Sequence, residues 1–380
     1  YFISEPKALS EEQNEALSKI QKDLRKSRFA SHLLFGVTGS GKTEVYLQAI
    51  EEALKLDKGV IFLVPEIALT SQTIERLKSR FEEKIALLHY KLSEGEKRDT
   101  WHQIQARKAR IVIGARSAVF CPVPELGLII VDEEHDSAYK QTGETPMYQG
   151  RDVAIVRAKL CGAVAVLGSA TPSMESYENA LRGKYTLSIL SQRHGKARLP
   201  QVHIVDMKHE STKHKGLTLF SDKLLTGIKE RLSRGEQTLL LLNRRGYHSS
   251  QICLSCSHIM ECSECETALT YHLSDNVLAC HLCDYRIEPS NTCPKCHESS
   301  SMKFRGAGTE LVEKKLQKIF PSCRVLRMDA DTTKKKGSHE KIFKQFKSGK
   351  ADLLIGTQMV AKGLHFPAVT LVGVLNADLT

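Results

Sequence analysis

The most demanding chemistry in the sequence is set by eight residues: Gly36, Val37, Thr38, Gly39, Ser40, Gly41, Lys42 and Thr43. Their pattern is G-x-x-x-x-G-K-T. Glycines let the backbone curl so that its N–H groups converge on a triphosphate, with a helix N-terminus behind them. Lys42 has the reach to meet the β- and γ-phosphates, and the Thr43 hydroxyl can hold Mg²⁺. Leu33-Leu34-Phe35 leading in reads as a buried strand, and Glu44-Val45-Tyr46-Leu47 leading out reads as the start of a helix. In that context the loop binds nucleotide rather than merely turning, so ATP with Mg²⁺ is the implied ligand, contacted by residues 36–44.

A second constellation follows Leu128-Ile129-Ile130-Val131: the acids Asp132, Glu133 and Glu134, then His135. A carboxylate directly after a buried strand beside such a loop is placed to hold Mg²⁺, which gives that role to Asp132. The next, Glu133, is placed to position or deprotonate the attacking water. Lys42, Asp132 and Glu133 are the expected catalytic set. At a further strand end, Ser169 and Thr171 offer small hydroxyls that can sense the nucleotide state. Upstream, Ser10 reads as a helix N-cap with acids in the first turn, and Gln13 is placed to turn inward. Its two-sided amide suits reading adenine, although a glutamine there is ordinarily a surface helix residue.

Eleven cysteines imply either disulfides or metal sites, and spacing decides. Four Cys-x-x-Cys pairs occur: Cys253/Cys256, Cys262/Cys265, Cys280/Cys283 and Cys293/Cys296. Each pair offers two thiolates to a tetrahedral ion, so the eight ligands imply two structural Zn²⁺ sites. Cys262/Cys265 with Cys280/Cys283 has the gap of a zinc-ribbon hairpin, which leaves Cys253/Cys256 to meet Cys293/Cys296. A sequential pairing, with a very tight loop between Cys256 and Cys262, stays open. Cys121, Cys161 and Cys323 stand apart and are expected to be buried thiols.

These residues must be held by more than one core, since 380 residues exceed an ordinary single domain. After the phosphate loop, short runs rich in Val, Ile and Leu recur at 59–64, 85–88, 111–113, 126–131 and 163–167. They read as buried parallel strands with helices between them, an α/β fold covered on both faces. A new α/β unit begins near Leu219, with strands expected at 239–242, 325–328 and 353–355 and a helix starting at Leu311. A hydrophobic content of 41% is that of a globular chain, and no apolar run approaches the ~20 residues of a membrane span. Lys and Arg exceed Asp and Glu by 55 to 44, a formal charge of +11, which favours a polyanionic partner such as nucleic acid. A nucleotide-binding core with reduced thiols places the chain in the cytoplasm. The sequence begins without Met and stops at Thr380, and reads as a piece of a longer protein.

Residues 36–43, Asp132-Glu133-Glu134-His135 and Ser169-Ala170-Thr171, in this order, resemble the superfamily 2 helicases, motors with two RecA-like lobes. Val64-Pro65-Glu66-Ile67-Ala68-Leu69-Thr70, Gly114-Ala115-Arg116-Ser117-Ala118-Val119-Phe120 and His135-Asp136-Ser137-Ala138-Tyr139-Lys140-Gln141 narrow this to a resemblance to the bacterial replication-restart helicases. The resemblance implies an aromatic-rich loop after His135 that couples DNA to ATP hydrolysis. Tyr139, Lys140, Tyr148 and Arg151 are then suited to stacking bases and holding phosphates, with Arg116, Ser169 and Thr171 in the same coupling set. It implies roles for Arg244 and Arg245 at phosphate, for Thr357 and Gln358 at DNA, and for Gly363 near ATP. It implies the nested zinc pairing as well. It further implies that an arginine finger lies beyond Thr380, so that this chain binds ATP far better than it hydrolyses it.

The expected organisation is a first RecA-like lobe at 1–200, a linker and start of the second lobe at 201–250, a zinc-binding insertion at 251–303, and the remaining second lobe at 304–380. The expected function is ATP-driven 3′→5′ movement on single-stranded DNA with unwinding at stalled forks, by a monomer with no membrane association. The family's partners are single-stranded and forked DNA, single-stranded-DNA-binding protein, and the primosome and replicative-helicase loading proteins. Two competing readings are a zinc-stapled platform with secondary ATPase, and another superfamily 2 motor acting on RNA or duplex DNA. The zinc insertion argues against the latter.

Overall fold

The computed structural model describes residues 5–65, 76–81, 85–88, 92–143, 145–193, 200–214, 218–242, 250–256, 258–272, 276–280, 282–305, 309–329, 332, 338–357, 360, 366–375 and 377. The chain divides into two compact units, Tyr1–Val202 and His203–Thr380.

In chain order the first unit contains α1 (Glu11–Arg25), β1 (Ala30–Gly36), α2 (Lys42–Lys55), β2 (Gly59–Leu63), β3 (Ile85–Leu88), α3 (Glu94–Gln105), β4 (Ile111–Gly114), β5 (Leu126–Asp132), α4 (Gly150–Cys161), β6 (Val164–Ser169), α5 (Met174–Leu181) and β7 (Thr186–Leu190). The seven strands form one sheet in the order β3-β4-β2-β5-β6-β1-β7, parallel throughout. Alternation along each strand sends side chains to both faces. Val60, Phe62, Leu128 and Ile130 pack with Ala16, Ile20, Val45 and Ile50 of α1 and α2. Ile61, Leu63, Ile129 and Val131 pack on the opposite side with Ile104, Ala154, Ala158 and Ala180 of α3, α4 and α5. Both faces are therefore dry, which is why these strands read as continuous apolar runs. The α/β fold with helices on both faces is borne out. β7 escaped the sequence reading: half of it faces solvent, so its pattern is not that of a buried run.

The second unit carries α6 (Met207–Lys213), α7 (Asp222–Ser233), β8 (Gln237–Leu242), β9 (Ser250–Cys253), β10 (Thr270–His272), β11 (Val277–Ala279), β12 (Arg286–Ile287), β13 (Met302–Arg305), α8 (Thr309–Ile319), β14 (Val325–Met328), α9 (Ser338–Lys347), β15 (Leu353–Gly356) and β16 (Val369–Leu375). Its main sheet is parallel, in the order β14-β15-β8-β16. Between β8 and α8 the chain leaves this sheet. β9 and β13 pair antiparallel as a base, and β10-β11-β12 form a small antiparallel sheet beyond it. The cysteine-rich segment has its own small core around Met260, Leu269, Leu278 and Met302.

The register of the first sheet sets Asp132 of β5 beside Gly168 of β6, and Gly168 beside Leu34 of β1. The phosphate loop, the acidic turn and the Ser169 segment thus leave the same carboxyl edge, the edge at which open parallel sheets bind ligands. Gly168 is a packing requirement. A Cβ there would stand 1.5 Å from the Tyr46 hydroxyl and 2.7 Å from its ring. Gly168→Ala is expected to destabilise the first unit by about 1–3 kcal/mol or more, the cost of overpacking, read as a lowered thermal midpoint.

Candidate nucleotide site and metal clusters

β1 ends at Gly36 and α2 begins at Lys42, so the loop between them is short and its ends are fixed by sheet and helix. Gly39 and Gly41 sit at φ 81° and 82°, a left-handed conformation that glycine adopts without penalty. Gly41 also has no room for a side chain: a Cβ would lie 2.2 Å from Gln13 Nε2. Thr38 and Gly39 are exposed and Thr43 is half-buried, while the Ser40 side chain is buried, and its hydroxyl has no hydrogen-bond partner among the described residues. Lys42 is 9% exposed, and its ammonium donates to the Gly36 carbonyl at 2.6 Å. Burial pushes its pKa down, against the pull of Asp132 and Glu133.

Gln13 turns inward as expected. Its backbone N–H donates to Ser10 Oγ, its Oε1 accepts from the Ser10 N–H at 2.8 Å, and its Nε2 donates to the Ser40 carbonyl at 2.7 Å. The amide thus braces the phosphate loop from α1.

Asp132 closes β5, and its carboxyl accepts from the Tyr46 hydroxyl at 3.0 Å. Burial and the neighbouring Glu133 push its pKa up to about 6, opposed by the Tyr46 hydrogen bond and by Lys42. A crowded, half-dry pair of carboxylates beside an ammonium is a place that attracts a hard divalent cation. With the hydroxyl of Thr43, which follows Lys42 directly, the oxygen donor set suits Mg²⁺. Glu133 is at φ 49°, uncommon for a side-chain-bearing residue, and its carboxylate lies 3.6 Å from His135 Nδ1. His135 Nδ1 in turn is 2.8 Å from the hydroxyl of Ser169, which is fully buried and also accepts from the Thr171 N–H. The acidic turn and the Ser169 segment are therefore in direct contact.

The Glu44 carboxylate accepts from Arg80 Nη2 at 3.3 Å, Gln48 Nε2 at 2.9 Å and the Lys7 N–H at 3.1 Å. Several expectations need correcting. Tyr139 cannot stack on bases, because its ring is fully buried and its hydroxyl donates to the Asp132 carbonyl at 2.6 Å. Arg151 cannot hold DNA phosphate in this arrangement. It is 7% exposed and bonds to Glu134, Asp152 and Ser173. Thr357 lies buried just past β15 rather than facing out. Cys161, at the end of α4, is exposed, whereas Cys121 and Cys323 are buried as expected.

Arg116 and Tyr148 are half-buried and lie together, next to the exposed Lys140. Arg116 Nη1 donates to the carbonyls of Ala138 and Lys140, and its guanidinium lies 5.6 Å from the centre of the Tyr148 ring. Tyr148 meets Phe120 edge-on with centroids 5.1 Å apart. Arg244, Arg245, Gln358 and Gly363 lie outside the described residues.

The sequence reading gave Glu134 and Tyr46 no role. Glu134 is wholly buried and accepts from the Ser173 N–H and hydroxyl, the Ser176 hydroxyl and Arg151 Nη1. Only the run of three acids hinted at it, since a third acid is superfluous to metal and water. Tyr46 was legible in principle, one helical turn after Lys42 on the same face.

In the second unit the sulfurs of Cys253, Cys256, Cys293 and Cys296 lie within 4.8 Å of one another, as do those of Cys262, Cys265, Cys280 and Cys283. Individual separations are 3.5–3.6 Å, against the roughly 3.8 Å between sulfurs around a tetrahedral zinc with 2.3 Å bonds. Backbone N–H groups of the turns point at the sulfurs, for example Leu282 N to Cys280 and Lys295 N to Cys293. A hydrogen bond with Thr267, then the backbone N–H groups of Cys283 and Leu282, hold the Cys280 thiol down to about 6. Of the two pairings left open by spacing, the nested one is formed.

A parallel α/β sheet with a phosphate loop, an acidic strand end and a contacting Ser169 segment defines a helicase-type nucleotide-binding core. Family comparison agrees: residues 6–174 match the Type III restriction enzyme, res subunit; residues 299–380 match the helicase conserved C-terminal domain; and residues 262–287 match the PriA DNA helicase Cys-rich region domain. Among solved structures, RecG bound to a three-way DNA junction has a TM-score of 0.52 at 18% identity, covering 97% of this chain and 38% of that one. Mycobacterium smegmatis helicase Lhr bound to single-stranded DNA and AMP-PNP has 0.51 at 15%, covering 96% and 44%. These likenesses speak for the fold. The replication restart protein PriA of Chlamydia muridarum is 52% identical over 379 residues, covering 100% of this chain and 50% of its own length. That of Bacillus subtilis is 48% identical over 377 residues, covering 99% and 46%. Over essentially its whole length the chain is similar to the PriA replication restart proteins, and it spans about half the length of the curated relatives it matches.

Two outcomes follow from the geometry. Glu134→Ala removes a buried anion from Arg151 and is expected to cost about 3–5 kcal/mol in denaturant unfolding. Elemental analysis is expected to find two zinc ions per chain, falling to one in Cys280→Ser and equally to one in Cys253→Ser. A single ion in the parent would break the two-cluster assignment.

Proposed function

We propose that this chain is the ATP-driven motor core of a replication-restart DNA helicase. The observation that carries the reading is the gathering of Lys42, Asp132 and Glu133 at one sheet edge, with Lys42 and Asp132 electrostatically linked, in a chain similar to the PriA proteins. The loop N–H groups of residues 36–43 cradle the phosphates, and Lys42 leaves the Gly36 carbonyl for the β- and γ-phosphates. Thr43 and Asp132 would hold Mg²⁺, which supplies charge neutralisation across the β- and γ-phosphate oxygens. Glu133 orients the attacking water and takes its proton as the γ-phosphate is released. The Gln13 amide reads the base.

DNA engages the first unit through the Arg116, Lys140, Tyr148 and Phe120 patch, where a guanidinium, an ammonium and two rings suit phosphate and base faces. The net charge of +11 supports the same partner. Movement in the 3′→5′ direction, action at stalled forks, and contact with single-stranded-DNA-binding protein and the helicase-loading proteins follow the family. The platform reading finds support in the cysteine-rich segment, which exposes Leu254, Leu282 and Tyr285 beside its clusters. There the segment serves partner docking alongside the motor. No described helix is long and apolar enough to cross a membrane, and a cytoplasmic place at the DNA fits this role.

ATP turnover with and without single-stranded DNA tests the proposal. Lys42→Ala is expected to lose DNA-stimulated turnover by about 100-fold or more, the scale of removing one transition-state donor. Turnover that survives the substitution would sink the assignment.

A further inference from the structure

Asp132 is reached by a side chain that no motif assigns. Tyr46 lies one helical turn beyond Lys42 on α2, so the two share a face of the helix. Its ring is 1% exposed and packs edge-on against Phe62, with centroids 5.8 Å apart. The hydroxyl passes over Gly168 and donates to Asp132 Oδ1 at 3.0 Å. Three separate features serve this one bond: the helical register from Lys42, the lack of a side chain at Gly168, and the strand register that sets Gly168 beside Asp132. A buried hydroxyl needs an acceptor, and a backbone carbonyl is enough. Tyr139 satisfies its own hydroxyl in that way, on the Asp132 carbonyl. Tyr46 instead engages the carboxylate that the nucleotide reading gives to the metal.

We propose that Tyr46 is a positioning residue for the metal-binding carboxylate, fixing the plane of Asp132 through Oδ1 and leaving Oδ2 outside that bond for the cation. The inference rests on the nucleotide reading above. It extends that reading because partners that orient a ligating carboxylate tune metal affinity as strongly as many ligands do. A tyrosine hydroxyl, with an ordinary pKa of about 10, is a donor throughout the physiological range.

The test is binding of a fluorescent ATP analogue to the chain, titrated with Mg²⁺ and repeated in EDTA. Tyr46→Phe keeps the ring and its packing on Phe62. The Mg²⁺ concentration at half-maximal binding is expected to rise about 10- to 100-fold, with affinity in EDTA and the circular dichroism spectrum unchanged. In an Asp132→Asn background, Tyr46→Phe is expected to add nothing further. An unchanged Mg²⁺ midpoint overturns the proposal. So does an equal loss in Mg²⁺ and in EDTA, which would make Tyr46 a packing residue only. An unsubstituted chain that binds no nucleotide under either condition overturns the nucleotide reading itself, and the inference with it.

Discussion

The carboxylate of Glu134 has no contact with water, so the fold must supply everything that solvent would have given it. It does so with donors from two further elements: Arg151 near the start of α4, and Ser173 and Ser176 at the start of α5. The N-terminus of α5 adds a favourable dipole. One anion thereby ties the end of β5 to two helices. Asp132 and Glu133, two and one residues earlier, inherit their placement from it. On the other flank the Asp132 peptide is fixed by the β5–β6 ladder and by the Tyr139 hydroxyl. Between these clamps Glu133 is held at a positive φ that costs a non-glycine residue about 1–2 kcal/mol. Strain of that kind persists where the surroundings over-determine it, and such places are commonly functional.

How much was legible in the sequence depends on whether a feature is local. The phosphate loop, the Ser10–Gln13 capping box and the cysteine knuckles are local, and all were readable from spacing. The buried strands were readable because both faces of the sheet are covered, which leaves an uninterrupted apolar signal. β7 and β16 lie at sheet edges with alternating exposure and carried no such signal. Partners far apart in the chain were not readable at all. Nothing about Glu44 foretold Arg80, and nothing about Arg151 foretold Glu134, because the pairs are made by packing between elements.

The same distinction explains the loop after His135. Its composition of Tyr139, Lys140, Tyr148 and Arg151 invites one role for all four. The structure divides them, with Tyr139 and Arg151 buried, Lys140 exposed and Tyr148 half-buried. The buried pair anchors the loop to β5 and α5, and the other two sit on Arg116. A short run of covalent and hydrogen bonds thus joins Arg116 and Lys140 to the Asp132 backbone.

The base strands β9 and β13 bring Ser250 opposite Arg305, so the cysteine-rich segment begins and ends at one point. β8 precedes this segment in the chain, while β15 and β16, the strands that flank β8 on both sides, follow it. During synthesis β8 must therefore wait, unpaired, until the whole insertion has emerged. Left unstructured, the insertion is a long tether whose closure costs entropy and slows the pairing of distant strands. Once its two clusters close, the same stretch becomes a compact knot with adjacent ends, and the tether contracts to a few residues.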